Sequence, residues 1–211
     1  MTIEIDNIKA VVFDCDGVLF DTAKANRNYY DTLLSNFGKP KLSDEQFVKV
    51  HMFTVREAFQ YLFPEMESLE PIFAFAKKMG YHPFIKYMER EPGTRRLLTL
   101  LKSHGYIRAI ATNRTNTMHD VLIKHGMTSF FEMVVTAADV ENAKPAPDEL
   151  VKIMNELSLL PRQILFIGDS EYDQQAAQNA GTWFAAFKNS SLSADFYAES
   201  MDSLVKLMKM K

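Results

Sequence analysis

In the stretch VVFDCDGVLFDT, Val11 to Thr22, two acids, Asp14 and Asp16, stand on either side of Cys15 at the end of an apolar run and just before Gly17. Carboxylates at the end of a buried strand are costly to desolvate unless something pairs with them. Other polar residues follow later apolar runs: Thr112 and Asn113 after YIRAIA, and Asp169 with Ser170 after ILFI and Gly168, with Asp173 one helical turn further on. Lys144 stands in NAKPAPDEL. Two acids two residues apart can divide the labour of phosphoryl transfer. One carboxylate attacks phosphorus, while the other gives a proton to the leaving oxygen and later takes one from water. Gly17 lets the backbone turn sharply beside them.

These residues can cooperate only if the fold gathers them. IKAVVF, YIRAIA, EMVVTAA, ILFI and GTWFAAF read as strands, and helical periodicity lies between them. Leu150, Ile153, Met154 and Leu157 fall at i, i+3, i+4 and i+7 behind Pro147; Leu97, Leu98 and Leu101 follow Pro92 and Gly93; Val121 and Leu122 precede Gly126. Strands apolar on both faces and alternating with helices predict an α/β fold, a doubly wound parallel sheet with a Rossmann-like core. Ligands of such sheets bind outside the carboxyl ends of the strands. Asp14, Asp16, Thr112, Asn113, Asp169 and Asp173 should therefore meet in one crevice, with Lys144 in reach. Clustered carboxylates repel by on the order of 4 kcal/mol per close pair at an effective dielectric near 20, so the cluster needs a cation. Oxygen-only ligands favour Mg²⁺, which accepts a substrate phosphate oxygen as a further ligand. Lys144 adds a second positive charge and Thr112 a hydroxyl donor, which suits a tetrahedral oxyanion. The expected partner is a small phosphorylated substrate.

From the second strand onward each strand-plus-helix unit takes roughly 20 to 35 residues, the length of a βαβ crossover. The first interval is far longer. Residues 20–90 carry helical stripes, Tyr30, Leu33, Leu34 and Phe37 up to Gly38, then Phe59, Leu62 and Phe63 up to Pro64. This segment reads as an inserted helical cap domain, leaving residues 1–19 and 91–211 as a discontinuous catalytic core. Nine of the sixteen Phe residues lie in it, enough for a core of its own or an apolar wall over a site.

The 211 residues are 47% hydrophobic and 24% charged, with a net charge of -3, so the composition is that of an ordinary globular protein. A pI near 6.0 and dispersed Lys and Arg residues argue against nucleic acid as a partner. Glu4 and Asp6 interrupt the start, and no apolar run reaches the roughly 18 residues of a membrane span, so the expectation is a cytoplasmic protein without membrane contact, monomeric or homodimeric. Cys15 is the sole cysteine, which excludes an intrachain disulfide and a cysteine-rich metal site. The five histidines show no metal-ligand spacing.

DCDGVLFDT, ATN, AKPAPD and GDSEYD, in that order and on those elements, resemble the four motifs of the haloacid dehalogenase superfamily, in its phosphatase-type branch with a helical cap after the first strand. The resemblance covers nearly the whole chain. It implies that Asp14 is the nucleophile that forms an aspartyl-phosphate and that Asp16 is the acid/base. It also makes Thr112, Asn113 and Lys144 the phosphate-binding group. Mg²⁺ would be held by Asp14, the backbone carbonyl of Asp16, and Asp169, with Asp173 as a ligand or a support. Cys15, between the acids, should be inert packing, since an alternating strand points it away from them and keeps Asp14 and Asp16 on one side.

Single residues separate this pattern from related chemistries. Dehalogenases of the superfamily have no leaving oxygen to protonate and lack the second acid, which Asp16 supplies here. Sugar-phosphate mutases of β-phosphoglucomutase type share the four motifs but commonly carry a histidine shortly after the first, where this chain reads Thr22 to Arg27 without one. A phospho-accepting receiver module would carry its acceptor on a later strand and be much shorter. In the cap segment VHMFTVREAFQYL, Arg56 is the one cation placed to bind a substrate's second anionic group.

Overall fold

The computed structural model describes residues 7–210, so Glu4 and Asp6 lie outside the described residues. Ala10, Val11, Val12 and Phe13 form β1 (Ala10–Phe13), and all four side chains are buried. A strand buried on both faces needs neighbours on both edges. β1 pairs in parallel with β4 (Ile107–Thr112) on one side and with β6 (Ile164–Gly168) on the other. β5 (Met133–Thr136), β7 (Trp183–Phe187) and β8 (Phe196–Ala198) extend the sheet to six parallel strands in the order β5-β4-β1-β6-β7-β8. Five of these strands are the five apolar runs. The sixth, β8, escaped notice because it is a short edge strand whose Tyr197 is 54% exposed, leaving too little apolar pattern to read.

The helices cover the sheet. α7 (Asp148–Leu157) and α8 (Glu171–Ala180) lay Leu150, Ile153, Met154, Ala176, Ala177 and Ala180 against Ala10, Val12, Ala109, Ala111, Phe166 and Phe184. The alternate strand residues, Val11, Phe13, Ile110, Leu165 and Ile167, are equally buried and point to the opposite face. α5 (Thr94–Ser103) packs against β4, and α9 (Met201–Leu207) against α5 and β8. α6 (Met118–Lys124) ends before Gly126, whose positive φ of 62° closes the turn. The architecture is the α/β doubly wound sheet that the alternation of runs predicts. Among the described residues no helix is long and apolar enough to cross a membrane.

The chain divides into two compact units, with the second running from Thr22 to Met88. The junctions fall at residues 21/22 and 88/89 because β2 (Phe20–Asp21) pairs antiparallel with β3 (Glu89–Arg90) and keeps both segments with the sheet. The Thr22–Met88 unit holds α1 (Ala23–Asn36), α2 (Asp44–Met52), α3 (Val55–Leu62) and α4 (Glu70–Met79). Ser43 with Gln46 and Thr54 with Glu57 form reciprocal caps that start α2 and α3. Its core is aromatic: Phe59 and Phe63 are buried, Phe37 stands edge-on to Phe63 and Phe75, and Phe59 meets Phe73 at 4.9 Å. Most of the phenylalanines of this unit thus pack its own helices, while Phe53 is 39% exposed.

Candidate active site

The register places the polar strand ends together. Phe13 is level with Ile110 of β4 and Ile167 of β6, so Asp14 leaves the sheet beside Ala111 and Gly168. Its backbone N–H still donates to the Ile167 carbonyl at 2.9 Å. β1 ends at Phe13, however, and Asp14 to Leu19 form a turn rather than the extended strand that would keep Asp14 and Asp16 on one side. The Leu19 and Phe20 amides both donate to the Cys15 carbonyl at 3.0 Å, and Gly17, at a φ of +77°, donates to the Phe20 carbonyl at 2.9 Å. The two acids therefore take different partners. Cys15 is fully buried, and burial pushes its thiol well above the ordinary range, which makes it inert.

Lys144 is the hub. Its Nζ donates to Asp14 Oδ1 at 2.7 Å, to Asp173 Oδ1 at 2.7 Å and to the Ala111 carbonyl at 3.1 Å, which uses all three ammonium hydrogens. Burial alone would lower its pKa, but the attraction of Asp14, Asp173 and Glu149 more than reverses this and holds it raised. Asn113 turns its amide Nδ2 to the Lys144 carbonyl at 3.0 Å and so braces the loop that carries the lysine. Thr112, buried at the end of β4, accepts the Arg114 backbone N–H on Oγ1 at 3.3 Å.

Asp173 is held by its other oxygen. Oδ2 accepts from the Asp169 and Ser170 amides at 3.2 and 3.0 Å and from the Ser170 hydroxyl, while Ser170 caps α8 by accepting the Asp173 N–H. The helix cap and the buried acid are thus one device. Gly168 makes room for it, since a Cβ there would lie 2.3 Å from that of Asp173. The Asn189 side chain fixes the Asp169 carbonyl at 2.8 Å.

Asp14, Asp169 and Asp173 can each offer a carboxylate oxygen within 4.8 Å of the others, a grouping that can hold a metal ion. Burial first, and then the neighbouring carboxylates, push Asp169 up to about 8; burial also lifts Asp14 to about 7, with Lys144 pulling it back and Asp173 and Asp16 adding to the rise. Burial is the largest cause of both shifts and the neighbouring carboxylates add to it, and an all-oxygen set of this kind fits a hard divalent cation. Gly17 belongs to the same packing, because a Cβ on it would fall 1.9 Å from Asp169 Oδ2.

The Asp16 side chain stands outside that cluster. It is paired with Arg114, whose Nε and Nη2 donate to Oδ1 at 3.0 and 2.7 Å and whose Nη1 donates to Thr117 Oγ1 at 3.0 Å. Arg114 is 8% exposed against 40% for Asp16, so the guanidinium forms a buried backing for an accessible carboxylate. Sequence reasoning passed over Arg114, although its place directly after Thr112 and Asn113 is a usable signal. Arg56, singled out for a substrate's second charge, lies exposed in the first turn of α3, with its guanidinium 5.0 Å from the centre of the Phe73 ring in the same unit.

Comparison with known proteins agrees with this geometry. The family model described as haloacid dehalogenase-like hydrolase matches residues 11–187. A phosphorylated carbohydrates phosphatase of Thermotoga maritima is 26% identical over 178 residues, 82% of each chain. A phosphoglycolate phosphatase of Aquifex aeolicus is 25% identical over 208 residues, 95% of this chain and 97% of that one. The crystal structure of a HAD-superfamily hydrolase, subfamily IA, from Geobacter sulfurreducens superimposes with a TM-score of 0.85 at 35% identity, covering 96% of this chain and 97% of the other. With a match that spans most of the sequence and the acidic strand ends assembled as described, the chain belongs to the haloacid dehalogenase-like hydrolase family.

Proposed function

We propose that the protein is a Mg²⁺-dependent phosphatase that hydrolyses a small-molecule phosphate monoester through an aspartyl-phosphate. The observation that carries this is the buried Asp14–Lys144–Asp173 array at the end of β1, with Asp169 within 4.8 Å of both acids. Two relatives named as phosphatases of phosphorylated carbohydrates and of phosphoglycolate support the same substrate class. Bound by Asp14, Asp169 and Asp173 with the Asp16 carbonyl, Mg²⁺ would offset the excess negative charge and draw in a phosphate oxygen.

The chain's own groups do the rest. As Asp14 turns an oxygen to phosphorus it frees one ammonium hydrogen of Lys144, which with the Thr112 hydroxyl holds the phosphoryl oxygens while the bond to the leaving oxygen breaks. Asp16 gives that oxygen its proton, so the alcohol leaves neutral. Water then attacks the phosphorus of the aspartyl-phosphate, Asp16 takes its proton, and the bond from phosphorus to the Asp14 oxygen breaks to release phosphate and restore the carboxylate. Purified protein with Mg²⁺ should release phosphate from one or more of phosphoglycolate, sugar phosphates and nucleotides; release from pyrophosphate alone, a phosphoanhydride with no alcohol to leave, would overturn the monoester reading. Asp14→Asn should abolish turnover without unfolding the protein, and chelation should abolish it reversibly. Turnover by the Asn variant, or in excess chelator, would overturn the proposal.

A further inference from the structure

Asp169 belongs neither to β6, which ends at Gly168, nor to α8, which begins at Glu171, so no strand or helix ladder fixes its backbone. Side chains do that instead. Asp173 Oδ2 accepts the N–H groups of Asp169 and Ser170 at 3.2 and 3.0 Å, and Asn189 Nδ2 donates to the Asp169 carbonyl at 2.8 Å. The peptide between Asp169 and Ser170 is thus gripped at its N–H by one side chain and at its carbonyl by another. The Asp169 carboxylate is left only its own side-chain torsions to turn on, and Gly17 packs directly against it.

The Asn189 amide is itself aimed. Its Oδ1 accepts both the N–H and the hydroxyl of Ser191, at 3.1 and 2.6 Å, which turns Nδ2 toward Asp169. The backbone that delivers it is strained, since Lys188, the first residue beyond β7, has a φ of +53° without being glycine. Two bonds hold that conformation: the Lys188 N–H donates to the Ala198 carbonyl at 2.9 Å, and its Nζ pairs with Glu91 Oε1 at 2.5 Å. A loop that merely connected β7 to β8 would have no reason to keep such strain. We propose that Asn189 is a positioning residue acting through Asp169, its amide holding the peptide after Asp169 so that the carboxylate stands ready for a divalent cation. The inference deepens the function proposed above and rests on its Mg²⁺ site. Because this support works before the metal arrives, its loss is read in metal affinity.

Isothermal titration of the metal-free protein with Mg²⁺ tests this with no substrate present. Asn189→Ala binds Mg²⁺ about tenfold more weakly than the parent, at the lower end of the range for groups that orient metal ligands from behind. Tyr197→Phe is the control. It removes a hydroxyl that bonds the Leu192 carbonyl at 2.8 Å and the Ala194 N–H at 3.3 Å, loosening the same loop through bonds that do not reach Asp169. Without metal both variants melt about 2–4 °C below the parent, the scale of a lost hydrogen bond in a chain of this size, yet only Asn189→Ala loses Mg²⁺ affinity. In turnover, the Mg²⁺ concentration for half-maximal rate rises about tenfold for Asn189→Ala, and excess Mg²⁺ restores kcat. Parent-like Mg²⁺ affinity in Asn189→Ala would overturn the proposal while leaving the metal reading in place. An equal loss in Tyr197→Phe would make Asn189 a loop-packing residue and overturn it too, as would a kcat deficit that excess Mg²⁺ does not repair. A parent that binds Mg²⁺ but releases no phosphate from any substrate would overturn the function reading alone, since the titration still decides the role of Asn189; a parent that binds no Mg²⁺ would overturn both.

Discussion

Asp16 shows how one side chain's partner sets its chemistry. In the acid/base role proposed for it, Asp16 must be able to exchange protons with the leaving group and with water, and its 40% exposure permits that, while Arg114 behind it restricts where the carboxylate can point. Asp16→Asn should slow hydrolysis of an alkyl phosphate by about 10²–10⁴-fold, the range for general acid assistance. Formation of the phosphoenzyme from an aryl phosphate, whose leaving group needs no proton, should be slowed far less. Single-turnover kinetics with both substrates checks this, and equal losses in the two phosphorylation steps would make Asp16 a structural residue. The pairing with Arg114 was not legible beforehand, because its partner lies 98 residues away in the chain.

The turn after β1 and the start of α8 are the elements on which the acidic cluster depends. Gly17 adopts a φ of +77° and has only Asp169 where a side chain would go. Gly17→Ala should therefore cost about 1–2 kcal/mol for the left-handed backbone alone, and it must also displace the Asp169 carboxylate. The expected outcome is weaker Mg²⁺ binding by calorimetry along with a lower melting temperature. A variant that loses stability but binds Mg²⁺ as the parent does would show that Asp169 is not held against this turn. At α8 the same logic makes Ser170 more than a cap. Removing its hydroxyl takes one hydrogen bond from the helix and one from Asp173, so Ser170→Ala should cost about 1 kcal/mol and reduce turnover together, as read by melting and by kcat.

For the molecule as a whole, the cluster ties stability to pH and, in the proposed function, to metal. Asp14, pushed up to about 7, and Asp169, up to about 8, keep protons in the fold that the unfolded chain has already released. The unfolded state then binds fewer protons, so stability falls as pH rises from about 4, through the ordinary carboxyl range, to about 8. Without metal, the protein should melt at a lower temperature at pH 8 than at pH 6. Mg²⁺ at about one hundred times its dissociation constant should add about 2.7 kcal/mol, or roughly 5–10 °C for a chain of this size. The gain should be larger at pH 8, because at pH 6 protons compete for the same oxygens. Calorimetry at both pH values, with and without Mg²⁺, measures this directly, and a metal shift independent of pH would mean that these carboxylates are not the ligands.

What the sequence alone determined is the set of features carried by short-range pattern. Apolar runs of strand length, helical stripes between them and polar residues at the strand ends are local properties, and they sufficed for the α/β sheet, for five of its six strands and for the residues around Lys144. The inserted helical segment was legible for a related reason, since residues 20–90 exceed what one crossover needs. Only the tertiary structure decided which neighbours β1 takes, because parallel register is set by packing across the sheet and not by the strand itself. It likewise ended β1 at Phe13, where hydrogen bonds to the Cys15 carbonyl curl the chain and send Asp14 and Asp16 to different partners. Arg114 drew no notice in the sequence because a lone cation carries no periodicity. Its meaning comes from the group it faces, Asp16, and burial gives that charge a strength that solvent would screen away.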